Sequence, residues 1–420
     1  MTRTITTPSS EVARHYTRVR EQSVYLCAPL QQEDYVVQPR ADVSPPKWHL
    51  GHTSWFFENF LLAEYLPGYR RFDERLNYFF NSYYESQGDR IERSQRGNMS
   101  RPGLKVILDY RAHVDAAMQH LLALRLPQVA TLTELGLHHE QQHQELLLTD
   151  IKNIFGNNPL YPPYRDLVIP TSPPPSLAYI SVPAGRYGVG HRGPGFCWDN
   201  ELGAHEVLLQ DYGIASRLVT NGEYLTFMAD GGYERFELWQ MDGIEWARGL
   251  EEPAPLYWYR TEAGWRHYTL HKGLEEIDPN LPVTHISWYE ADAYARWAGA
   301  RLATEFEWEI ACNTLNPEVD PRGNWVEREA YHPLAATGTF DYQFLGHCWE
   351  WTNSAYLPYP RYPRPQGALG EYNGKFMINQ MVLRGGSCAT PRSHIRPTYR
   401  NFFQPDKRWQ FTGIRLAKDQ

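Results

Sequence analysis

Through the first 160 residues, apolar positions recur at intervals of three and four, the period of a helix with one buried face. Residues 9–26 space their apolar side chains among charges. Residues 48–65 are apolar or aromatic on several faces, which predicts a buried helix. Residues 104–124 set Val106, Leu108, Val114, Ala117, Met118, Leu121 and Leu122 at helical spacing, and residues 132–155 form the fourth such segment. Four helices of this length predict an antiparallel bundle. The period is then lost. Asn157-Asn158-Pro159, Pro162-Pro163 and Ser172-Pro173-Pro174-Pro175-Ser176 cannot continue a helix. Beyond them residues 178–187 alternate and turn, helix-like pieces appear only near 220–230 and 287–298, and long stretches rich in Gly, Pro and Trp have no regular period. The pattern predicts a multidomain chain: a helical bundle over 1–160, a Pro-rich linker over 161–176, and an α+β domain over 177–420 whose loops are held by aromatic packing.

Composition agrees with two domains in 420 residues. With 14 Trp, 28 Tyr and 17 Phe, the chain carries enough rings for packed aromatic layers or an aromatic-lined pocket. The net charge of −8 and the lack of a long basic run argue against a nucleic-acid partner. No apolar run reaches the roughly 18 residues of a membrane span, and the N-terminus lacks the apolar core of a signal peptide. Cys27, Cys197, Cys312, Cys348 and Cys388 are scattered and form no Cys-x-x-Cys pair, so a cytoplasmic protein with reduced thiols is expected.

The densest chemistry lies in Leu137-His138-His139-Glu140-Gln141-Gln142-His143. His139 and His143 are one turn apart on a helix and offer two nitrogen ligands from one face. A third ligand must come from elsewhere. His52 is the best candidate, because it lies mid-helix in an apolar segment where an imidazole needs a partner. Gly51 beside it leaves room for another backbone or a ligand. His49 is an alternative to His52, and His138 an alternative that points about 100° away from His139. The same segment satisfies His-Glu-x-x-His literally, which offers a rival reading as a zinc hydrolase with Glu140 as general base. A lectin-like binding protein with structural histidines is a third.

Gly51-His52-Thr53 together with His139-Glu140-Gln141-Gln142-His143 resembles the DinB-like domain of the ergothioneine-biosynthesis sulfoxide synthases, the EgtB family. Val182-Pro183-Ala184-Gly185, Val219-Thr220-Asn221-Gly222-Glu223-Tyr224, Pro282-Val283-Thr284-His285-Ile286-Ser287-Trp288, Arg301-Leu302-Ala303-Thr304-Glu305-Phe306-Glu307-Trp308-Glu309, Trp349-Glu350-Trp351-Thr352 and Leu383-Arg384-Gly385-Gly386-Ser387 resemble the formylglycine-generating-enzyme-like domain fused to it, with a C-type-lectin-like fold. Formylglycine formation itself needs copper-binding cysteines three and eight residues after the Ser of Gly-Gly-Ser. Thr390 and Ile395 stand there instead, which removes that reading.

The resemblance implies a mononuclear non-haem Fe(II) on His52, His139 and His143. It also implies an O2-dependent reaction that joins a thiol sulfur to C2 of the imidazole of hercynine (Nα-trimethylhistidine) and leaves a sulfoxide. Gln142 would hydrogen-bond the substrate imidazole. Tyr83 and Tyr84 would be the catalytic phenols, as in the subgroup that uses free cysteine, with γ-glutamylcysteine or a selenosugar as alternative donors. Arg90 and Arg93, three apart, would face one way and clamp the carboxylate of the thiol substrate. Near the C-terminus, Asn401 would bind the hercynine carboxylate, and Phe402 and Phe403 would both face its trimethylammonium group. The metal would then come from one domain and the substrate cradle from the other.

Overall fold

A computed structural model describes residues 9–84, 87–316, 319–338, 342–363 and 373–420. They fall into two compact units. The described part of the first is 9–158 with 193–196; the second holds the rest.

The first unit is built on four long helices, as its apolar period requires: Ser9–Cys27, Pro46–Phe57, Leu104–Ala123 and Pro127–Gly156. Two of them begin earlier than the apolar period suggests, each with a proline at its start. Proline's fixed φ suits a first helical turn, and the N–H it lacks has no partner there anyway. Pro46–Phe57 is buried at every residue, in line with its lack of a polar face. Even Lys47 is inside, where its ammonium donates to the carbonyls of Met99 and Pro102 at 2.5 and 2.9 Å. A π-type turn, Glu58–Leu62, continues this helix. Glu58 inside it accepts from the hydroxyls of Tyr69 and Tyr110, each at 2.7 Å.

Two glycines let the site helices approach their neighbours. A Cβ on Gly51 would lie 2.2 Å from the Phe80 ring, and one on Gly136 would lie 2.7 Å from Phe57. These contacts bring Phe80 up to the Pro46–Phe57 helix and seat that helix against Pro127–Gly156. Among the described residues no helix is long and apolar enough to cross a membrane.

The second unit is sheet-rich. One four-stranded sheet runs Tyr179–Val182, Tyr212–Ala215, Leu416–Asp419, Arg301–Leu302, so the last strand of the chain pairs with an early one. The other runs Asn401–Phe403, Met381–Arg384, Trp349–Ala355, Thr412–Gly413. The helices Asn221–Ala229 and Trp288–Trp297 stand where the sequence placed them, each opened by a Thr or Ser cap with a Glu three residues on. Two further helices, Met241–Arg248 and Glu305–Leu315, were not anticipated. The second carries the same signal, Thr304 capping with Glu307, and was legible on that ground. Its buried Glu305 pairs with Arg384 and Arg400, each at less than 5 % exposure. Ion pairs therefore join aromatic rings in holding this unit's loops.

Candidate metal centre

Two helices supply the histidines. Pro46–Phe57 carries His49 and His52, one turn apart, and Pro127–Gly156 carries His139 and His143, also one turn apart. One ligand atom each from His52, His139 and His143 lies within 4.8 Å of the other two, and the Nε2 atoms of His52 and His139 are 3.2 Å apart. His52 and His139 are buried, and His143 is half-buried.

The hydrogen bonds around the triad fix which nitrogens face inward. His52 Nδ1 lies 2.6 Å from the carbonyl of Phe80. A carbonyl only accepts, so Nδ1 carries the proton and the Nε2 lone pair faces the other imidazoles. His143 Nδ1 lies 2.9 Å from His49 Nδ1, leaving its Nε2 for a ligand. Burial pushes the imidazoles of His52 and His143 well below their ordinary pKa, and the neighbouring histidines push the same way. Burial takes His139 down to about 3. All three rings are therefore neutral near pH 7, with lone pairs available. Three convergent neutral nitrogen donors, without a carboxylate among them, fit a divalent metal that keeps open positions.

Aromatic rings hold the triad in place. Trp48 stacks on His52 at 4.5 Å and 11° between planes, and the guanidinium of Arg96 lies 3.3 Å from the Trp48 ring centre. Arg96 is anchored by the hydroxyls of Ser44 and Ser82 at 2.9 and 3.2 Å. Trp55 stacks on His52, and Phe56 covers His139 at 4.7 Å.

Glu140 has no place in metal chemistry. It is fully buried and accepts from Ser23 at 2.6 Å, Arg20 at 2.9 Å and Arg111 at 2.5 Å. Burial alone would raise its pKa, but Arg111 and Arg20 outweigh that and hold it at about 2. A general base needs an oxygen aimed at a metal-bound water, and both oxygens of Glu140 are committed to the core. The zinc hydrolase reading fails here. His138 is outside the triad and stacks on Phe196 at 3.9 Å and 13°.

Tyr84 is buried and packs on Trp55 and Phe60, which in turn touch His52 and Phe56. Tyr83 is half-buried and stacks on Tyr84 at 4.7 Å. Gln142 is half-buried on the same helix as His139 and His143. The arginine clamp needs correction. Residues 88–92 are not helical, and Arg93 opens a short turn, Arg93–Asn98, so spacing by three does not put Arg90 and Arg93 on one face. Arg93 is exposed and donates to the carbonyl of Asp42, whereas Arg90 is half-buried. The arginine turned inward is Arg96.

In the second unit, Asn401–Phe403 is a strand paired with Met381–Arg384. Successive strand side chains point to opposite faces, so Phe402 and Phe403 cannot both face one trimethylammonium group. Phe402 stacks on Tyr356 at 4.1 Å, and Phe403 meets Trp409 edge-on at 5.5 Å. Asn401 shares its face with Phe403.

Sequence reading did not single out Asp150, whose Oδ2 lies 2.9 Å from His49 Nε2, or the approach of His49 Nδ1 to His143 Nδ1 at 2.9 Å. Asp150 follows His143 by seven residues, two helical turns, and so shares its face, which is the signal that was there to read.

Comparison with known proteins agrees with this architecture. Residues 168–420 match the Sulfatase-modifying factor enzyme 1-like domain, and residues 15–147 match the DinB superfamily. The hercynine oxygenase of Mycobacterium tuberculosis is 30% identical over 98% of this chain and 100% of that protein. Those of Mycolicibacterium thermoresistibile and Mycolicibacterium smegmatis are 34% and 35% identical, covering 70% and 68% of this chain and 71% of each relative. A helical DinB-type domain, a sheet-rich domain of the second family and a relative matched over its whole length together place the chain in the hercynine oxygenase family, as an oxidoreductase of the oxygenase type.

Proposed function

We propose that this protein joins the sulfur of cysteine to C2 of the hercynine imidazole with O2, giving hercynylcysteine sulfoxide and water in ergothioneine biosynthesis. The reaction balances: the thiol S–H and ring C2–H are lost, one oxygen atom goes to sulfur, and the other leaves as water. The observation that carries the reading is the convergence of three neutral imidazoles, His52, His139 and His143, in a chain of the hercynine oxygenase family. Fe(II) on three neutral ligands would keep its charge and supply one-electron chemistry toward O2.

The chain's own residues then have distinct tasks. His52, His139 and His143 would hold the metal, His52 and His143 through Nε2. Gln142, one residue before His143, orients the substrate imidazole by hydrogen bonding. The half-buried phenol of Tyr83 donates the proton, while Tyr84, packed between Trp55 and Phe60, holds it in place by stacking. Arg90 is assigned the carboxylate of the thiol substrate. Asn401 and Phe403, on one face of their strand, are assigned the hercynine carboxylate and trimethylammonium group, since a permanent cation without N–H donors suits an aromatic face.

The test is an aerobic assay of the Fe(II)-loaded protein with hercynine and competing cysteine, γ-glutamylcysteine and a selenosugar, read by mass spectrometry. Hercynylcysteine sulfoxide should dominate, with O2 uptake that needs both substrates. A dominant γ-glutamylcysteine or selenosugar product would replace the donor. No coupled product with any of them would overturn the function.

A further inference from the structure

A buried polar chain runs through His143 and ends on a carboxylate. Asp150 Oδ2 accepts the backbone N–H of Ser44 at 2.8 Å and lies 2.9 Å from His49 Nε2. His49 Nδ1 lies 2.9 Å from His143 Nδ1. Asp150 and His49 are both buried, at 1% and 4% exposure, so the contact between them is not diluted by solvent.

Donors and acceptors can be assigned in order along this chain. The Ser44 N–H can only donate, which fixes an accepting oxygen at Oδ2. The carboxylate therefore takes the proton on His49 Nε2. Of the two facing Nδ1 atoms one donates and one accepts, and with His143 holding the metal through Nε2 the acceptor is His49 Nδ1. The atom facing it is His143 Nδ1, which must then be the donor. His143 is left with its lone pair on Nε2. Trp48 touches both rings, His49 at 5.7 Å and His143 at 5.9 Å, and limits their rotation.

We infer that Asp150 and His49 are positioning residues that fix the tautomer and ring orientation of His143 and thereby set the strength of the metal site. Metal-ligating histidines commonly rely on a carboxylate or carbonyl behind them, which orients the ring and raises its basicity. His52 uses the Phe80 carbonyl directly. For His143 a second imidazole is inserted between ligand and carboxylate. The arrangement also ties the two ligand helices together: Pro46–Phe57 supplies one ligand and one support, and Pro127–Gly156 supplies two ligands and the terminal carboxylate. The inference rests on the triad being the metal site proposed above.

The experiment measures Zn(II) affinity of the full-length protein by competition with a chromophoric chelator. It also records long-range 15N–1H spectra of the Zn(II)-loaded, histidine-labelled protein, which report which ring nitrogen carries the proton. Wild type should show His143 protonated on Nδ1. His49→Phe and Asp150→Ala should each weaken Zn(II) binding by roughly 10–100-fold. Asp150→Ala should also lose the single Nδ1–H tautomer of His143. Asp150→Asn keeps an accepting oxygen opposite Ser44 and His49, so it should lose less affinity than Asp150→Ala and retain the tautomer. Folded His49→Phe and Asp150→Ala proteins with wild-type affinity and an unchanged His143 signal would overturn the inference. If His49→Phe fails to fold, the Asp150 pair decides alone. His139→Ala is the control for the underlying reading. Zn(II) binding that survives in His139→Ala would sink the triad itself, whereas its loss there alongside wild-type Asp150→Ala would sink only the positioning role.

Discussion

In the helical unit His52, His139 and His143 turn their nitrogens toward one another. In the sheet-rich unit His267, His271 and His332 also meet inside the protein, with ring centres 5.4 and 5.8 Å apart for the pairs that share His332, but they gather beside a carboxylate. Strand register sets His267 directly opposite Glu275. Glu275 accepts from Thr269 at 2.7 Å and pairs with His271 Nε2 at 2.8 Å, while His332 Nδ1 faces the carbonyl of Pro333 at 2.8 Å. Burial would raise the pKa of Glu275, but hydrogen bonds from His271 and Thr269 outweigh it and bring it to about 2. Among the described residues, the triad is the group of three whose ligand atoms all converge within 4.8 Å. Burying histidines does not by itself make a metal site. What matters is whether their lone pairs are left facing a common point or whether the rings turn N–H donors toward a carboxylate and a carbonyl instead.

The contrast can be broken most sharply at the ligands. His139→Ala is expected to abolish stoichiometric metal binding and turnover, while His271→Ala keeps wild-type metal content; metal analysis of both proteins decides, and the reverse pattern would exchange the roles of the two clusters. Next in size is Glu140→Gln. It leaves Arg111 buried without its carboxylate and Arg20 with Asp115 alone, so urea denaturation should show a loss of about 3–5 kcal/mol with metal content of the folded protein unchanged. Stability equal to wild type, with metal or activity lost, would return Glu140 to the chemistry.

The carboxylate of the second cluster should show itself in acid. Glu275 has a folded pKa below its ordinary 4.5, so its contribution to stability is complete above that pH and is lost as pH falls from 4.5 toward about 2. Glu275→Gln should flatten that part of the melting-temperature profile. Parallel profiles for the two proteins would show that the pairing carries no stability. The smallest effect asks whether the sheet-rich unit takes part in substrate binding. Phe403→Leu should weaken hercynine binding by about 1–2 kcal/mol in calorimetry with no change in metal content. An unaltered dissociation constant would return Phe403 to packing against Trp409.

The four helices were legible because their apolar period is strong. Their ends were not, because Pro46 and Pro127 start helices ahead of the first periodic apolar residue. The Glu305–Leu315 helix did not read as a helix although Thr304 and Glu307 announced it, since residues 301–309 read only as a family motif. The pair His139 and His143 was readable from spacing within one helix. Arg90 and Arg93 were misjudged by the same rule, because their segment is not helical and helical spacing has no meaning there. Phe402 and Phe403 were misjudged in the opposite sense: adjacency in sequence places them on opposite faces of a strand.

By itself the sequence determined whatever depends on neighbours along the chain: the helical period of the first 160 residues, the break at the prolines, the caps of several helices and the two histidines one turn apart. Tertiary structure alone decided which polar atoms face one another across helices. Glu140 and His143 are three residues apart on one helix, yet one is surrounded by Arg20, Arg111 and Ser23 and the other by His52, His139 and His49. Local spacing gives the direction of a side chain about its own axis. The partner it meets there is set by packing between segments from different parts of the chain, and with that partner come its protonation, its hydrogen bonds and its chemistry.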